Sequence, residues 1–186
     1  MNNLEDFVMV LSDVVSKKDC KETIEELERV VFNQVGCPQC TTDCQTMRMG
    51  RDDKIPQTDL IMNSIWTGIE RYVTTHGMSR HFKTWEGFTN IKWNKYTQDK
   101  SMDTHIDHNI FEMFDNVMGP NRGIPILSIV GLLNDDYEGG EFQLFDDTPI
   151  SLKAGDLLLF PSNFLYPHRV LPVTKGTRHS YVSWVY

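Results

Sequence analysis

The chain has 186 residues, of which 40% are hydrophobic and 24% are charged. This length and composition are ordinary for one globular domain with a substantial core. With 26 acidic and 18 basic residues the formal net charge is -8, and the sequence contains no dense run of lysine and arginine. Because nucleic-acid-binding proteins usually present a basic patch, the composition argues against a nucleic-acid partner.

The sequence also lacks the usual signals for a membrane or for secretion. No apolar run approaches the roughly 18 residues that suggest a membrane span. The start of the chain, at residues 1–6, has neither the basic region nor the apolar region of a secretory signal. We therefore expect a cytoplasmic protein that is not bound to a membrane, with its four cysteines mostly reduced.

The first part of the chain, to about residue 84, is predicted to be mainly helical. A short strand is expected at residues 7–11. Ser16 is a favourable N-cap, and Asp19 adds negative charge to the first turn of a helix predicted to end near Asn33. One face of this helix carries residues at helical spacing, namely Cys20, Ile24, Leu27 and Val31.

A second amphipathic helix is predicted from about Asp59 to Thr75, after a polar segment at residues 47–57 that is typical of a loop. Its apolar side is expected to comprise Leu60, Ile61, Ser64, Ile65, Ile69 and Tyr72. Gly77 follows the helix, and glycine is the residue type that most often stands just after a helix end.

Three cysteines lie between the two predicted helices, at Cys37, Cys40 and Cys44. A C-x2-C pair followed by another cysteine allows a structural zinc site, for which Cys20 is a candidate fourth ligand. A redox disulfide is a second interpretation. A loop with clustered thiols and no chemistry is the third, and spacing alone favours it, because zinc needs four ligands that converge on one point.

From Trp85 onward the pattern changes to short strands separated by turns. Thr89, Ile91 and Trp93 alternate with polar residues, which is the two-residue period of a strand. Further strands are predicted near residues 104–108, 125–133, 140–145, 156–160, 165–170 and 178–186. Two helices followed by such strands predict a mainly β fold with flanking helices, a sandwich or barrel with the helices packed on one sheet. No repeat or break in composition suggests a second domain.

The tripeptide His105-Ile106-Asp107 is the first part of a candidate metal site. Residues two apart in a strand project to the same side, so the imidazole and the carboxylate would face one ligand. His168 follows a predicted strand, and Arg178 begins the last one. Two histidines and one carboxylate form the facial triad that holds Fe(II) and leaves coordination positions open. The competing interpretation is a chance H-x-D in a chain with six histidines.

Taken together, these residues resemble the Fe(II)/2-oxoglutarate-dependent dioxygenases, and most closely their prolyl 4-hydroxylase-like branch. The family pattern of H-x-D, a distal histidine and a later arginine or lysine is matched by His105, Asp107, His168 and Arg178. Residues 131–142 and 154–160 are similar to the family's strand–turn–strand segment and to the strand before its distal histidine. Tyr96 matches a tyrosine that contacts the cosubstrate in this branch. The resemblance covers roughly residues 85–186.

The resemblance implies a double-stranded β-helix, or jelly roll. Residues 1–186 would then form a single dioxygenase domain, with a helical part at about 1–84 and a jelly-roll core at about 85–186. Fe(II) would be bound by the catalytic residues His105, Asp107 and His168. Arg178 and Tyr96 would bind 2-oxoglutarate, the arginine through its permanently charged, bidentate guanidinium. O2 is the implied second cosubstrate, and ascorbate is an additional candidate cofactor.

The implied reaction is hydroxylation of a substrate C–H bond, coupled to decarboxylation of 2-oxoglutarate to succinate and CO2. The resemblance favours a prolyl residue in a peptide or protein as the substrate. A free amino acid or other small molecule is one alternative, and a non-catalytic metal-binding β-barrel module is another. Met102 stands where many close relatives carry an aromatic residue, and residues 109–121 match no family pattern. That segment is a candidate substrate lid.

Overall fold

The structure is a computed structural model, and it describes residues 3–29, 45–48, 55–77, 87–108, 124–145 and 147–186. Within these residues it contains a short 3₁₀ helix, two α-helices and twelve strands. The helical elements are the 3₁₀ helix Leu4–Phe7, α1 (Lys17–Arg29) and α2 (Thr58–Thr75). In the described part of the chain, neither α-helix has the length and apolar character needed to cross a bilayer.

The strands build two main sheets. They are β1 (Met9–Leu11), β2 (Gln45–Arg48), β3 (Lys92–Tyr96), β4 (Met102–His105), β5 (Leu127–Leu132), β6 (Glu138–Gly139), β7 (Phe142–Leu144), β8 (Thr148–Ile150), β9 (Leu157–Pro161), β10 (His168–Val170), β11 (Val173–Lys175) and β12 (Arg178–Val185). Six form the major sheet in the order β1-β9-β5-β12-β3-β2, and four form the minor sheet in the order β4-β10-β7-β8. β6 and β11 pair separately. The prediction of a mainly β fold with flanking helices is confirmed.

Helix α1 begins as the sequence predicts. The Oγ atom of Ser16 accepts a hydrogen bond from the Asp19 backbone N–H at 3.1 Å, which satisfies one of the unpaired N–H groups at the helix start. Cys20, Thr23 and Leu27 form its buried face. The predicted end near residue 33 lies outside the described residues.

Helix α2 confirms the second predicted helix, and it lies against the major sheet. A Cβ atom at Gly68 would be 2.5 Å from Leu157 Cδ2, so the glycine allows the helix backbone to approach β9 closely. Gly77 has a φ of +65°, a left-handed conformation that suits the residue after a helix end. Leu60 is 39% exposed, so its predicted place on the apolar side was wrong. The buried side is made by Ile61, Ser64, Ile65, Gly68, Ile69 and Tyr72.

The apolar core has two parts, one on each face of the major sheet. Between that sheet and the helices, the largest members include Ile61, Ile65, Ile69, Trp93, Ile129, Leu157, Leu159 and Tyr181. Between the two sheets lie Tyr96, Val130, Phe142, Leu144, Leu158, Phe160, Tyr166, Val170 and Val173. Because successive strand residues point to opposite faces, one run of apolar residues in β9 serves both parts.

Several predicted elements were wrong in their extent. The strand predicted at residues 104–108 ends at His105, so Asp107 lies just beyond β4 and not on it. Phe7 belongs to the 3₁₀ helix, and the first strand begins at Met9. Strand β2 takes in the start of a segment predicted as loop, and β6, β8 and β11 were missed. These strands have two to four residues, too few to show a period of two.

Candidate metal centre

Two strands of the minor sheet bring the predicted histidines together. β4 and β10 are antiparallel neighbours, and His105 lies directly opposite His168. Asp107 lies in the bend after β4, with Oδ1 3.7 Å from His105 Nε2 and Oδ2 3.6 Å from His168 Nε2. One ligand atom from each residue lies within 4.8 Å of the other two. The two Asp107 separations, 3.7 and 3.6 Å, lie within about 4.2 Å, the largest distance between two donors that are each about 2.1 Å from one ion.

Each histidine has its Nε2 atom next to the Asp107 carboxylate. His105 Nδ1 is 2.9 Å from the Asp103 carbonyl oxygen, and His168 Nδ1 is 3.1 Å from the Tyr166 carbonyl oxygen. A carbonyl oxygen only accepts hydrogen bonds, so each Nδ1 carries a proton, and in the neutral imidazole Nε2 then has the lone pair that can bind a metal. A backbone acceptor behind a ligating imidazole is the usual arrangement around protein metal ions.

His168 is held neutral by its surroundings. Its side chain is buried, with the Phe142 ring stacked 5.4 Å away and the Phe160 ring edge-on at 5.0 Å. Burial lowers the pKa of His168, because a charged imidazolium loses its hydration there, and the nearby Asp107 carboxylate offsets only part of this. Metal binding requires this neutral form.

The Asp107 carboxylate is stabilised in its ionised form. Burial raises its pKa, but the imidazoles of His168 and His105 and hydrogen bonds from Ser128 and Trp184 outweigh burial, so the pKa lies below its ordinary value. The cluster thus offers two imidazole nitrogen donors and one carboxylate oxygen donor. Three protein ligands of these types fit Fe(II) and leave positions for other ligands. Among the described residues this is the one such cluster of metal-binding side chains.

A buried arginine occupies another part of the space between the sheets. Arg178 in β12 lies opposite Tyr96 in β3, both are 1% exposed, and the guanidinium carbon is 5.3 Å from the tyrosine ring centroid. Arg178 Nη1 donates to Ser180 Oγ at 2.7 Å, and Nε has no hydrogen-bond partner. No carboxylate of the described residues forms an ion pair with this guanidinium. A buried cation without a counter-ion is costly, so the site favours an anionic ligand.

Strand alternation separates the site residues from their neighbours. Arg169, next to His168, donates from Nε to Gln143 Oε1 at 2.7 Å. His179, next to Arg178, contacts Glu28 Oε1 of α1 at 2.8 Å. His108 contacts the site region through its backbone, donating its N–H to the Ser162 carbonyl at 3.0 Å.

The second candidate metal site and the candidate lid are not covered by the structure. Cys37, Cys40 and Cys44 lie outside the described residues, as does the segment 109–121. Cys20 is described, is 1% exposed and has its Sγ 4.0 Å from the Val15 carbonyl oxygen. Burial raises the pKa of its thiol to about 11, so it stays protonated at neutral pH.

The sequence reasoning missed the groups that contact Asp107. Ser128 Oγ donates to Asp107 Oδ2 at 2.6 Å and lies 2.8 Å from Ser162 Oγ. A signal was present, because Ser128 is the one polar residue in the apolar run at residues 124–130. A buried hydroxyl inside such a strand needs a partner, and here that partner is the carboxylate.

Comparison with known proteins identifies the family. A family model described as the 2OG-Fe(II) oxygenase superfamily matches residues 91–186, which include the histidines, the aspartate and the buried arginine described above. The chain belongs to this superfamily. Its membership implies Fe(II), 2-oxoglutarate and O2 as the cofactor and cosubstrates, in agreement with the donor set of the cluster.

Curated relatives of this oxygenase chain include PKHD-type hydroxylases. The PKHD-type hydroxylase IL0759 of Idiomarina loihiensis is 35% identical over 95 residues, covering 50% of this chain and 39% of the relative. A PKHD-type hydroxylase of Aliarcobacter butzleri is 37% identical over 97 residues, covering 50% of this chain and 41% of the relative. The matched region spans about two fifths of these proteins.

Solved structures establish the fold of the oxygenase chain. A viral collagen prolyl hydroxylase from Paramecium Bursaria Chlorella virus-1 has a TM-score of 0.70 at 13% identity, covering 96% of this chain and 95% of that one. A Pseudomonas putida prolyl-4-hydroxylase has a TM-score of 0.69 at 17% identity, covering 96% and 91%. Together with the two facing sheets, these likenesses confirm the predicted double-stranded β-helix of the prolyl 4-hydroxylase type.

Proposed function

We propose that this chain is the catalytic domain of an Fe(II)- and 2-oxoglutarate-dependent hydroxylase. In this proposal the iron ligands are His105, Asp107 and His168, and the 2-oxoglutarate contacts are Arg178 and Tyr96. The observation that carries it is the buried Arg178 guanidinium, which has no carboxylate partner in the described chain and shares the space between the sheets with a facial triad. A dicarboxylate such as 2-oxoglutarate satisfies both groups at once.

In this proposal Arg178 binds 2-oxoglutarate through its charge, and Tyr96 contributes packing beside it. The bound iron would supply the activation of O2, and the chain's own groups hold the reactants in place. Arg178 offers a permanently charged fork to the distal carboxylate, and its contact with Ser180 fixes the direction of that fork. Tyr96 packs its ring beside the guanidinium, and both side chains are buried.

The favoured substrate is a prolyl residue in a peptide or protein. Support comes from the fold, and from a solved neighbour described as a prolyl hydroxylase in complex with a hypoxia inducible factor oxygen degradation domain peptide fragment from Trichoplax adhaerens. That protein has a TM-score of 0.70 at 16% identity. The names of the curated relatives give a hydroxylase function without a substrate. A small-molecule substrate is the competing outcome, and the cytoplasmic location and a role for ascorbate stay predictions.

A turnover assay tests the proposal. Purified chain, Fe(II), 2-oxoglutarate and O2 should form succinate, and a proline-containing peptide should stimulate this and gain the mass of one oxygen atom. Asp107→Ala should form none. Arg169→Ala is the matched control, because this arginine lies beside His168 but contacts Gln143 on the other face of the minor sheet. A wild-type chain that binds Fe(II) but forms no succinate with peptides or amino acids would favour the non-catalytic metal-binding module.

A further inference from the structure

A pair of buried serines stands behind the Asp107 carboxylate. Ser128 in β5 and Ser162, just after β9, are each 1% exposed. Ser128 Oγ is 2.6 Å from Asp107 Oδ2 and 2.8 Å from Ser162 Oγ. Both serines belong to the major sheet or its edge, whereas the histidines belong to the minor sheet. The carboxylate is therefore held from the side opposite its imidazole neighbours.

The direction of the two hydrogen bonds follows from the chemistry of the groups. An ionised carboxylate only accepts, so the single hydroxyl proton of Ser128 points at Asp107. Ser128 then has only acceptor capacity left for Ser162, which must be the donor in the second contact. The order is Ser162 to Ser128 to Asp107, and each bond in such a chain polarises and strengthens the next.

Ser162 also fixes the backbone that carries the aspartate. Its carbonyl oxygen accepts from the His108 N–H at 3.0 Å, and its own N–H donates to the Ile126 carbonyl at 3.2 Å. The bend after β4 is thus tied to the major sheet immediately beyond Asp107. One serine residue restrains both the main chain of this bend and, through Ser128, its side chain.

The restraint matters because a carboxylate is otherwise free to turn. The terminal torsion of an aspartate has a broad energy profile, so burial alone does not select one orientation. Trp184 lies directly opposite Ser128 in the neighbouring strand, and a hydrogen bond from its side chain also lowers the pKa of this carboxylate. Groups on two adjacent strands therefore restrain the carboxylate, whose oxygens lie 3.7 Å from His105 Nε2 and 3.6 Å from His168 Nε2.

We propose that Ser128, oriented by Ser162, is a positioning residue of the metal site that holds the Asp107 carboxylate in its metal-binding orientation. The inference rests on the proposed function, since it takes the His105, Asp107 and His168 cluster as the metal site. It concerns residues that touch neither the metal nor the cosubstrate, and their effect is exerted through Asp107.

The test is a titration of the metal-free chain with Mn(II). Binding is measured as the loss of the electron paramagnetic resonance signal of the free ion. Ser128→Ala should weaken Mn(II) binding by about 10- to 100-fold, the usual effect of losing an outer partner of a metal ligand. Ser162→Ala should weaken it by roughly 2- to 10-fold, the size of one neutral hydrogen bond. Ser183→Ala should leave it unchanged, because this equally buried strand serine donates to the Thr89 carbonyl instead.

A second readout separates positioning from general stability. Ser128→Thr keeps the hydroxyl and should bind Mn(II) more tightly than Ser128→Ala, and its Co(II) absorption spectrum should match that of the wild type. The inference is overturned if Ser128→Ala binds Mn(II) as the wild type does, or if the threonine and alanine variants are equally weak. Ser162→Ala tests the role of Ser162 independently. If this variant binds Mn(II) as the wild type does, Ser162 does not orient Ser128. A wild-type chain that binds no Mn(II) overturns the proposed function itself.

Discussion

The two faces of the major sheet differ in how their polar side chains are paired, although the same strands supply both. His179 and Arg178 are neighbours in β12 and point to opposite sides. His179 faces α1, where Glu28 contacts both its imidazole at 2.8 Å and the Lys95 ammonium at 2.6 Å. Arg178 faces the minor sheet and has no carboxylate partner among the described residues.

This difference distinguishes the face of the sheet that stabilises the fold from the face that is expected to bind a ligand. On the helix face the charges are matched within the chain, and apolar residues fill the rest of the layer. On the inner face the Arg178 guanidinium has no carboxylate partner among the described residues, and the His105, Asp107 and His168 cluster carries the donors of a metal site. An incompletely matched buried charge is a reason to expect a ligand of the opposite charge. The inner face is therefore where function is expected.

The largest expected effect is the loss of metal binding in Asp107→Ala. The variant removes the one anionic donor and leaves two imidazoles that cannot hold the ion in the same geometry. Binding of Fe(II) or Mn(II), measured by titration of the metal-free chain, should fall by more than the about 10- to 100-fold expected for an outer partner. Retention of wild-type affinity would place the metal elsewhere, with the Cys37, Cys40 and Cys44 cluster as the next candidate.

The next effect should appear on the helix face and leave the site intact. Ile129 is fully buried between the helices and the major sheet, one position along β5 from Ser128. Ile129→Ala should lower the free energy of unfolding by about 2–5 kcal/mol, through lost burial and the cavity left behind. Urea unfolding measures this, and Mn(II) affinity under folding conditions should be unchanged. A loss of affinity as large as that of Ser128→Ala would mean that the two faces are not separable.

A smaller and more selective effect is expected for Arg178→Ala. The variant should weaken 2-oxoglutarate binding to the Mn(II)-loaded chain by about 10- to 100-fold, because it removes a charge-assisted hydrogen bond worth about 1.5–3 kcal/mol. Calorimetric titration with 2-oxoglutarate measures the change, and Mn(II) binding itself should persist. Arg169→Ala serves as the control with the same chemistry on the outer face of the minor sheet. Equal losses in both variants would contradict the assignment of Arg178.

The smallest effect is a dependence of stability on pH that arises on both faces. Burial lowers the pKa of His179 and of His168 below the ordinary value, although nearby carboxylates offset part of this. Below about pH 6.5 the unfolded chain therefore takes up protons that the folded chain does not, and the free energy of unfolding falls. The pKa of Glu28 and of Asp107 is also lowered, so a second fall should follow below about pH 4.

Urea unfolding of the metal-free chain at pH 7.5 and pH 5.5 measures the first fall. His179→Gln should show a smaller difference between the two pH values, because one of the two buried imidazoles is gone. Mn(II) should not reduce the remaining difference, since a bound ion keeps His168 deprotonated in the folded chain while the unfolded chain still takes up the proton. A stability that is the same at both pH values would contradict the account of these two histidines.

The sequence predicted the parts of the site that follow from strand alternation. His105 and His168 were expected to act together, and they lie opposite each other on neighbouring strands, while Arg169 and His179 have contacts elsewhere. The long amphipathic α2 was predicted nearly to the residue, since its apolar positions recur over many turns. Regular periodicity over a long element is the strongest signal a single sequence contains.

What could not be predicted depends on tertiary contacts. β2 is recognisable only from its pairing with β3, and its four residues carry no pattern of their own. Asp107 was expected on a strand, but the chain bends after His105 because the His108 N–H is bonded to Ser162 and not to a partner strand. The Ser162–Ser128–Asp107 contacts join three distant segments, and nothing local to any one of them indicates the other two.

A crystal structure of the chain with Mn(II) and 2-oxoglutarate tests the proposed site most directly. We expect Mn(II) on His105, Asp107 and His168, and a single 2-oxoglutarate molecule whose distal carboxylate contacts the Arg178 guanidinium. Mn(II) bound at another cluster, or 2-oxoglutarate absent from the space between the sheets at saturating concentration, would contradict it.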